Sequence, residues 1–321
     1  MQKRGASFDR ESTDLIARIA WLYYRKHLTQ QEIADYTGLT RQKVQRFLKR
    51  AEELGIVRFE IKHTYSNILS LEEEVKDKFN LKDVIIVPEV SQSGEELKKD
   101  LGYAGAQYLR QVLPAVHSIG VGLGSTLRYL AQYFSPDTFR EDIKIYSLVG
   151  NLLYTIALNP YSIGEKLADK LHAQFYNIWA PAIVQNKNRL KTITSEPWIR
   201  QVIDDAMKAE LFLCGVGTNY GDLTLMRMGY ITKEECQRIL RKGAVGDFLG
   251  RFLNEEGEII EDEVHSRVVG VNLDQIKHKE VMIVAGGVLK LKIIKAVIKA
   301  GLAKILVTDE EVGKALLAQK T

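Results

Sequence analysis

The chain has only two cysteines in 321 residues, Cys214 and Cys236. Two thiols make no disulfide framework, and the expectation is a pair of reduced, buried structural thiols in a cytoplasmic protein. No cluster of cysteine and histidine has zinc-site spacing, so no structural metal is expected. No run is long and apolar enough to cross a bilayer, so no membrane partner is expected, and no secretory leader is expected ahead of the first helices. There is no nucleophile elbow, no zinc-hydrolase motif and no obvious carboxylate pair. His63, His117, His172, His265 and His278 are scattered and read as structural or solvated groups. Nothing here suggests catalysis, and no cofactor is implied.

Net positive charge is confined to one segment. Residues 1–64 carry 13 Lys+Arg and 8 Asp+Glu, a net of +5; the rest carries 32 and 33, a net of −1. The excess is the electrostatic footprint expected of a nucleic-acid-binding module beside a domain with another task. The length calls for two domains, placed at 1–62 and 63–321.

Residues 28–54 read as a helix-turn-helix. Thr29-Gln30-Gln31-Glu32 has capping-box spacing. Ile33 and Ala34 point inward on a short helix that stops at Gly38, and Thr40 can cap a second helix. Val44, Phe47, Leu48, Ala51 and Leu54 recur at helical spacing as one buried stripe. Between them stand long donors. Arg41, Gln42 and Gln45 are the expected base readers; Lys43, Arg46, Lys49 and Arg50 are expected on phosphates, with Gln30, Gln31 and Thr40 completing the DNA contact. An ordinary solvated basic face is the plainer alternative. Residues 14–26 supply a third helix through Leu15, Ile19, Leu22 and Tyr23, and the alternation over 56–62 suits a wing strand.

Residues 66–79 predict a connecting helix, with a possible capping box at Ser70–Glu73. Its stripe Ile68, Leu71, Val75 and Phe79 is a candidate contact with either its own domain or a second subunit. From residue 83 apolar strands alternate with helices. Strands are expected at 84–87, 117–121, 143–149, 175–184, 211–216, 281–285 and 303–307, and residues 308–311 should cap a last helix. The class is α/β, a doubly wound parallel sheet behind the helix-turn-helix domain. Glycine-rich turns follow three strands, and ligands of open parallel sheets bind at the carboxyl ends of strands.

Gly120-Val121-Gly122-Leu123-Gly124-Ser125-Thr126 joins a strand to a helix start, where amides and hydroxyls can cradle a phosphate. It is neither a dinucleotide fingerprint nor a Walker loop; a plain tight turn is the alternative. Gly286-Gly287-Val288-Leu289-Lys290 places a cation one turn into a helix, within reach of a phosphate or carboxylate. Gly243-Ala244-Val245-Gly246-Asp247 places a carboxylate that can accept from sugar hydroxyls or cap a turn.

On these segments the chain resembles the SorC type of bacterial transcriptional regulators, whose sugar-binding domain is shared with some DeoR-named proteins. Also carrying the resemblance are Tyr146 to Asn151, Ala180-Pro181-Ala182, Gly215-Val216-Gly217, Val268-Val269-Gly270 and Leu306-Val307-Thr308-Asp309-Glu310. It spans nearly the whole chain in order. One departure is Gly150-Asn151, where many members carry a second glycine. The resemblance implies a C-terminal fold of the phosphosugar isomerase and CoA transferase type, a phosphorylated sugar or similar metabolite as effector, and a homo-oligomer, dimer or tetramer, on operator DNA. It implies an effector site of Gly122, Gly124, Ser125, Thr126, Gly150, Asn151, Pro181, Gly215, Gly217, Asp247, Gly286, Gly287 and Lys290. The expectation is a ligand-responsive DNA-binding regulator, not an enzyme. The alternatives are a phosphosugar isomerase or deaminase fused to a DNA-binding module and, more weakly, a sigma-factor-like adaptor.

Overall fold

The computed structural model describes residues 5–57, 65–88, 94–152, 159–218 and 224–318. The chain divides into two compact units, Met1–His63 and Thr64–Thr321.

The first unit holds α1 (Gly5–Lys26), α2 (Gln30–Thr37) and α3 (Arg41–Glu53). The Thr29 hydroxyl accepts from the Glu32 amide at 3.2 Å while the Glu32 carboxylate accepts from the Thr29 amide at 2.7 Å, which completes the expected capping box. Gly38 ends α2 at φ 72°, a left-handed conformation that a side chain would strain. Thr40 starts α3 by accepting from the Lys43 amide. Ile16, Ile19, Ala20 and Leu22 of α1 close on Ile33, Ala34, Val44, Leu48 and Ala51 as one core. Each fully buried Leu or Ile there contributes about 1.5–3 kcal/mol. Leu54, expected in the buried stripe, is 49% exposed. It follows the last residue of α3, so helical periodicity no longer aims it at the core. Of the wing expected over 56–62, Ile56 and Val57 form a bend packed on this core, and residues 58–62 lie outside the described residues.

The second unit runs α4 (Tyr65–Phe79), β1 (Asp83–Val87), α5 (Gly94–Val112), β2 (Ser118–Val121), α6 (Ser125–Tyr133), β3 (Lys144–Ser147), α7 (Pro160–Leu171) and β4 (Gln174–Tyr176). It continues with α8 (Lys187–Ser195), α9 (Pro197–Ala206), β5 (Leu211–Cys214), β6 (Gly217–Thr218), α10 (Thr224–Arg227), α11 (Lys233–Arg241), β7 (Gly246–Phe248) and β8 (Arg251–Leu253). It ends with α12 (Leu273–Ile276), β9 (Val281–Val284), α13 (Leu291–Lys299), β10 (Ile305–Asp309) and α14 (Glu310–Ala318).

Seven strands form a parallel sheet in the order β1-β10-β9-β5-β2-β3-β4. Helices cover both faces. On one, Leu101 and Leu109 of α5, Leu127 and Leu130 of α6, and Ile163 and Leu167 of α7 pack with Ile119, Val121 and Ile145. On the other, α4, α9, α13 and α14 contribute Val75, Ala206, Ile293 and Val312 beside Phe212 and Ile283. Double coverage explains why β5 and β9, buried at every residue, read as unbroken apolar runs, and why β10 is apolar from Ile305 to Val307.

Two expectations need correction, one open alternative is decided, and several elements were not foreseen. Ser70 lies inside α4, so no capping box starts there. Ile68, Leu71 and Val75 are buried in their own unit's core with Ile86 and Leu316, so this stripe is not a free contact surface. The strand expected over 175–184 is β4 alone; beyond it the chain is held by single bridges from Pro181 to Asn151 and from Ile183 to Val268, because Pro181 lacks the amide a ladder needs. A second sheet, the antiparallel β6-β7-β8, and the helices α8 and α9 escaped the sequence pattern.

After β2 the chain moves to β3 and β4; after β5 it moves the other way, to β9 and β10. Adjacent β2 and β5 are therefore the topological switch point, where diverging loops open a crevice at the strands' carboxyl ends.

Candidate functional site

At this switch point the loop after β2 meets the loop after β5. Gly124 and Gly215 pack backbone against backbone, and Gly122 lies under Leu249. Gly124 precedes α6 with φ 150° and brings no capping side chain, so the first amides of α6 have none. Ser125 is half-buried and Thr126 is buried.

The small antiparallel sheet overhangs this edge. Gly217 pairs with Asp247, and a side chain at Gly217 would run into the Asp247 carboxylate. Asp247 accepts from the Gly250 amide at 3.2 Å, so it holds the β7–β8 turn. Burial pushes its pKa up to about 6, against the pull of the Gly250 amide and of Lys290. The Thr218 hydroxyl donates to the Leu289 carbonyl at 3.1 Å and ties β6 to the turn bearing Lys290. Lys290 closes a 3-10 turn, Val288–Lys290, ahead of α13 rather than one turn inside a helix. Burial pushes the Lys290 ammonium down, Lys98 adds to that shift, and Asp247 opposes it. Gly286 and Gly287 sit between Leu101 and Leu97 of α5 and the Asp309 carboxylate.

The structure thus brings together Gly122, Gly124, Ser125, Thr126, Gly215, Gly217, Asp247, Gly286, Gly287 and Lys290. Gly150, Asn151 and Pro181 form a second group at the ends of β3 and β4. Gly150 lies against the backbone of Ala180 and Pro181, and the Asn151 amide side chain donates to the Ile178 carbonyl at 2.9 Å.

Three polar residues at this edge were missed. Lys98 of α5 faces Lys290 and pairs with Glu95 at 3.0 Å. Arg251 begins β8 with its guanidinium on the Leu249 carbonyl, and burial lowers its pKa to about 10. Asn177 is 7% exposed, and neither its Oδ1 nor its Nδ2 has a hydrogen-bond partner. No local motif marks the first or third; Arg251 directly follows Gly250, which has φ 77° in the β7–β8 turn. Among the described residues six buried side-chain polar atoms lack partners. Four lie at the carboxyl edge: Oδ1 of Asn151, both amide atoms of Asn177, and Oγ1 of Thr308. Each such group costs about 1–3 kcal/mol in a protein interior, so a binding edge is the natural place for them.

On the first unit, Arg41, Gln42, Lys43, Gln45, Arg46, Lys49 and Arg50 are all exposed on α3. Of these only Arg50 has an ion pair among the described residues, with Glu53 at 3.6 Å. Thr40 is spent on its cap. A cleft of about 650 Å³ lined by Tyr23, Tyr24, His27, Thr29, Gln30, Gln31 and Arg41 opens at the start of α2. Sequence reasoning missed Tyr23, Tyr24 and His27 as lining groups.

The sugar-binding domain family (Sugar-bind) matches residues 63–318, and the Crp-like helix-turn-helix domain matches residues 16–73. The transcriptional regulator LsrR of Enterobacter sp. (strain 638) is 33% identical over 321 residues, 99% of this chain and 97% of that protein. The erythritol catabolism regulatory protein EryD of Brucella abortus (strain 2308) is 29% identical, over 95% of this chain and 96% of that protein. The full-length sorbitol operon regulator SorC from Klebsiella pneumoniae has the same fold, with a TM-score of 0.74 at 23% identity over 96% of this chain and 99% of that one.

Proposed function

We propose that the chain, which belongs to the SorC-type family of bacterial transcriptional regulators with a sugar-binding domain, binds operator DNA under control of a small phosphorylated sugar or polyol. The observation that carries the phosphate reading is Lys290. Among the described residues it forms no ion pair, yet it is only half-exposed and close enough to Lys98 to feel its like charge. A desolvated cation with a like charge beside it favours an anion as its partner. Asp247 then accepts from sugar hydroxyls. Two of the relatives named above are by their names regulators of erythritol catabolism and of the sorbitol operon, which supports the same class of effector.

Residues 1–62 hold the DNA contact in this reading, and residues 63–321 hold the effector and the contacts of a cytoplasmic homo-oligomer. Arg41, Gln42 and Gln45 read base edges while Lys43, Arg46, Lys49 and Arg50 hold phosphates. The effector changes DNA affinity by favouring one conformation of the oligomer over another.

The test is calorimetry on the full chain with phosphorylated sugars and polyols, each against its unphosphorylated form. Lys290→Ala should lower affinity ten- to a hundred-fold, about 1.5–3 kcal/mol, while operator binding without ligand stays intact. Preference for the unphosphorylated forms would overturn the phosphate reading.

A further inference from the structure

Past the ends of β3 and β4, two side-chain amides keep buried polar atoms without partners. Asn177 follows β4 directly and offers a donor and an acceptor to nothing in the described structure; Asn151, after β3, has a free Oδ1. They are neighbours, because the Asn151 Nδ2 donates to the carbonyl of Ile178, the residue after Asn177. The Ile178 amide in turn donates to the buried Ser147 hydroxyl. Phe175 packs with the α7 side of the sheet, while Tyr176 packs with the opposite core. Alternation therefore leaves Asn177 on the α7 side, the side on which α6 rises from the loop after β2.

We propose that Asn177 and Asn151 form a hydroxyl-reading subsite for the carbon chain of a polyhydroxylated effector whose anionic end sits at the start of α6. This rests on the effector reading above. An amide side chain both donates to and accepts from a hydroxyl, so vicinal hydroxyls suit the pair. The ends of β2 and β4 lie two strand spacings apart, ~10 Å. A phosphate with a five- or six-carbon chain spans that distance; one with a three-carbon chain does not. The subsite thus sets the length of the effector.

The test uses the full chain and two variants, Asn177→Leu and Asn177→Ala. The probes are inorganic phosphate, glycerol 3-phosphate, ribose 5-phosphate and glucitol 6-phosphate. The variants should bind the best of the five- and six-carbon probes about tenfold more weakly. Their affinity for phosphate and glycerol 3-phosphate should not change. Without ligand, Asn177→Leu should melt at or above the parent's temperature, since it removes two unsatisfied buried groups. A structural asparagine would behave oppositely. Lower melting in both variants, or an equal loss for every probe, overturns the subsite. So does unchanged affinity for the longer probes. If no probe binds the parent chain, the phosphate reading fails instead, and lower melting of both variants would still overturn the subsite by giving Asn177 a structural role.

Discussion

The Asp309 carboxylate accepts from the Gly287 amide at 2.6 Å and from the Val312 amide at 3.0 Å. One side chain at the end of β10 therefore caps α14 and pins the glycine turn that presents Lys290. The sequence expectation of a cap at this point is met by Asp309, while Thr308 before it is a buried strand residue. Asp309→Ala should lose about 2–4 kcal/mol, a lost cap plus a lost charge-assisted bond. Thermal unfolding of the full chain checks this, and effector affinity should fall with it because the turn is no longer held.

Asp247 imposes a pH dependence. Its folded pKa of about 6 stands above its ordinary value near 3.8. Between about pH 4 and 6 the folded chain holds more protons at this site than the unfolded one, so its contribution to stability falls as pH rises through that window. Asp247→Asn should therefore gain stability relative to the parent as pH rises to about 6, then level off. Denaturant melts at pH 4, 5, 6 and 7 measure the difference; a flat difference would mean that burial does not hold the carboxyl neutral.

His265 acts with the opposite sign. Its Nε2 accepts from the Phe252 amide at 3.0 Å, and burial lowers its pKa to about 4. The unfolded chain takes up the proton first, so this contribution is lost as pH falls from about 6.5 to 4. His265→Gln should lower stability at pH 7 and narrow the gap to the parent near pH 4, read in the same melts.

On α3, Gln42→Ala should relax operator sequence preference at one position, about 1–3 kcal/mol for a lost base contact. Lys49→Ala should weaken all duplexes alike and reduce the salt slope by about one. Operator titrations at several salt concentrations separate the two. Equal behaviour of both variants would place α3 outside the groove.

Val75 is fully buried in the second unit's core, packed where α4 meets β1 and α14. Val75→Asp should destabilise that unit by about 3–5 kcal/mol through an unpaired buried charge rather than split an oligomer. Circular dichroism and sedimentation on the same sample distinguish these outcomes.

The sequence by itself determined whatever depends on neighbours a few residues apart. The caps at Thr29 and Thr40 and the turn at Gly38 were legible because each rests on a bond or a backbone angle within one helical turn. The parallel sheet was legible because apolar strands alternate with helices along the chain, the pattern of parallel strands joined by crossover helices. The clustering of glycines at strand ends pointed to the edge where the site lies. Tertiary structure alone decided the rest. Periodicity shows that the face carrying Ile68, Leu71 and Val75 is covered, but only packing shows that its own sheet covers it. The strands β6, β7 and β8 are too short to carry a pattern, and Gly217 meets Asp247 only because the fold closes a long intervening chain. Lys98 and Asn177 carry no local signal, since burial without a partner is a property of surroundings that chain-distant segments supply.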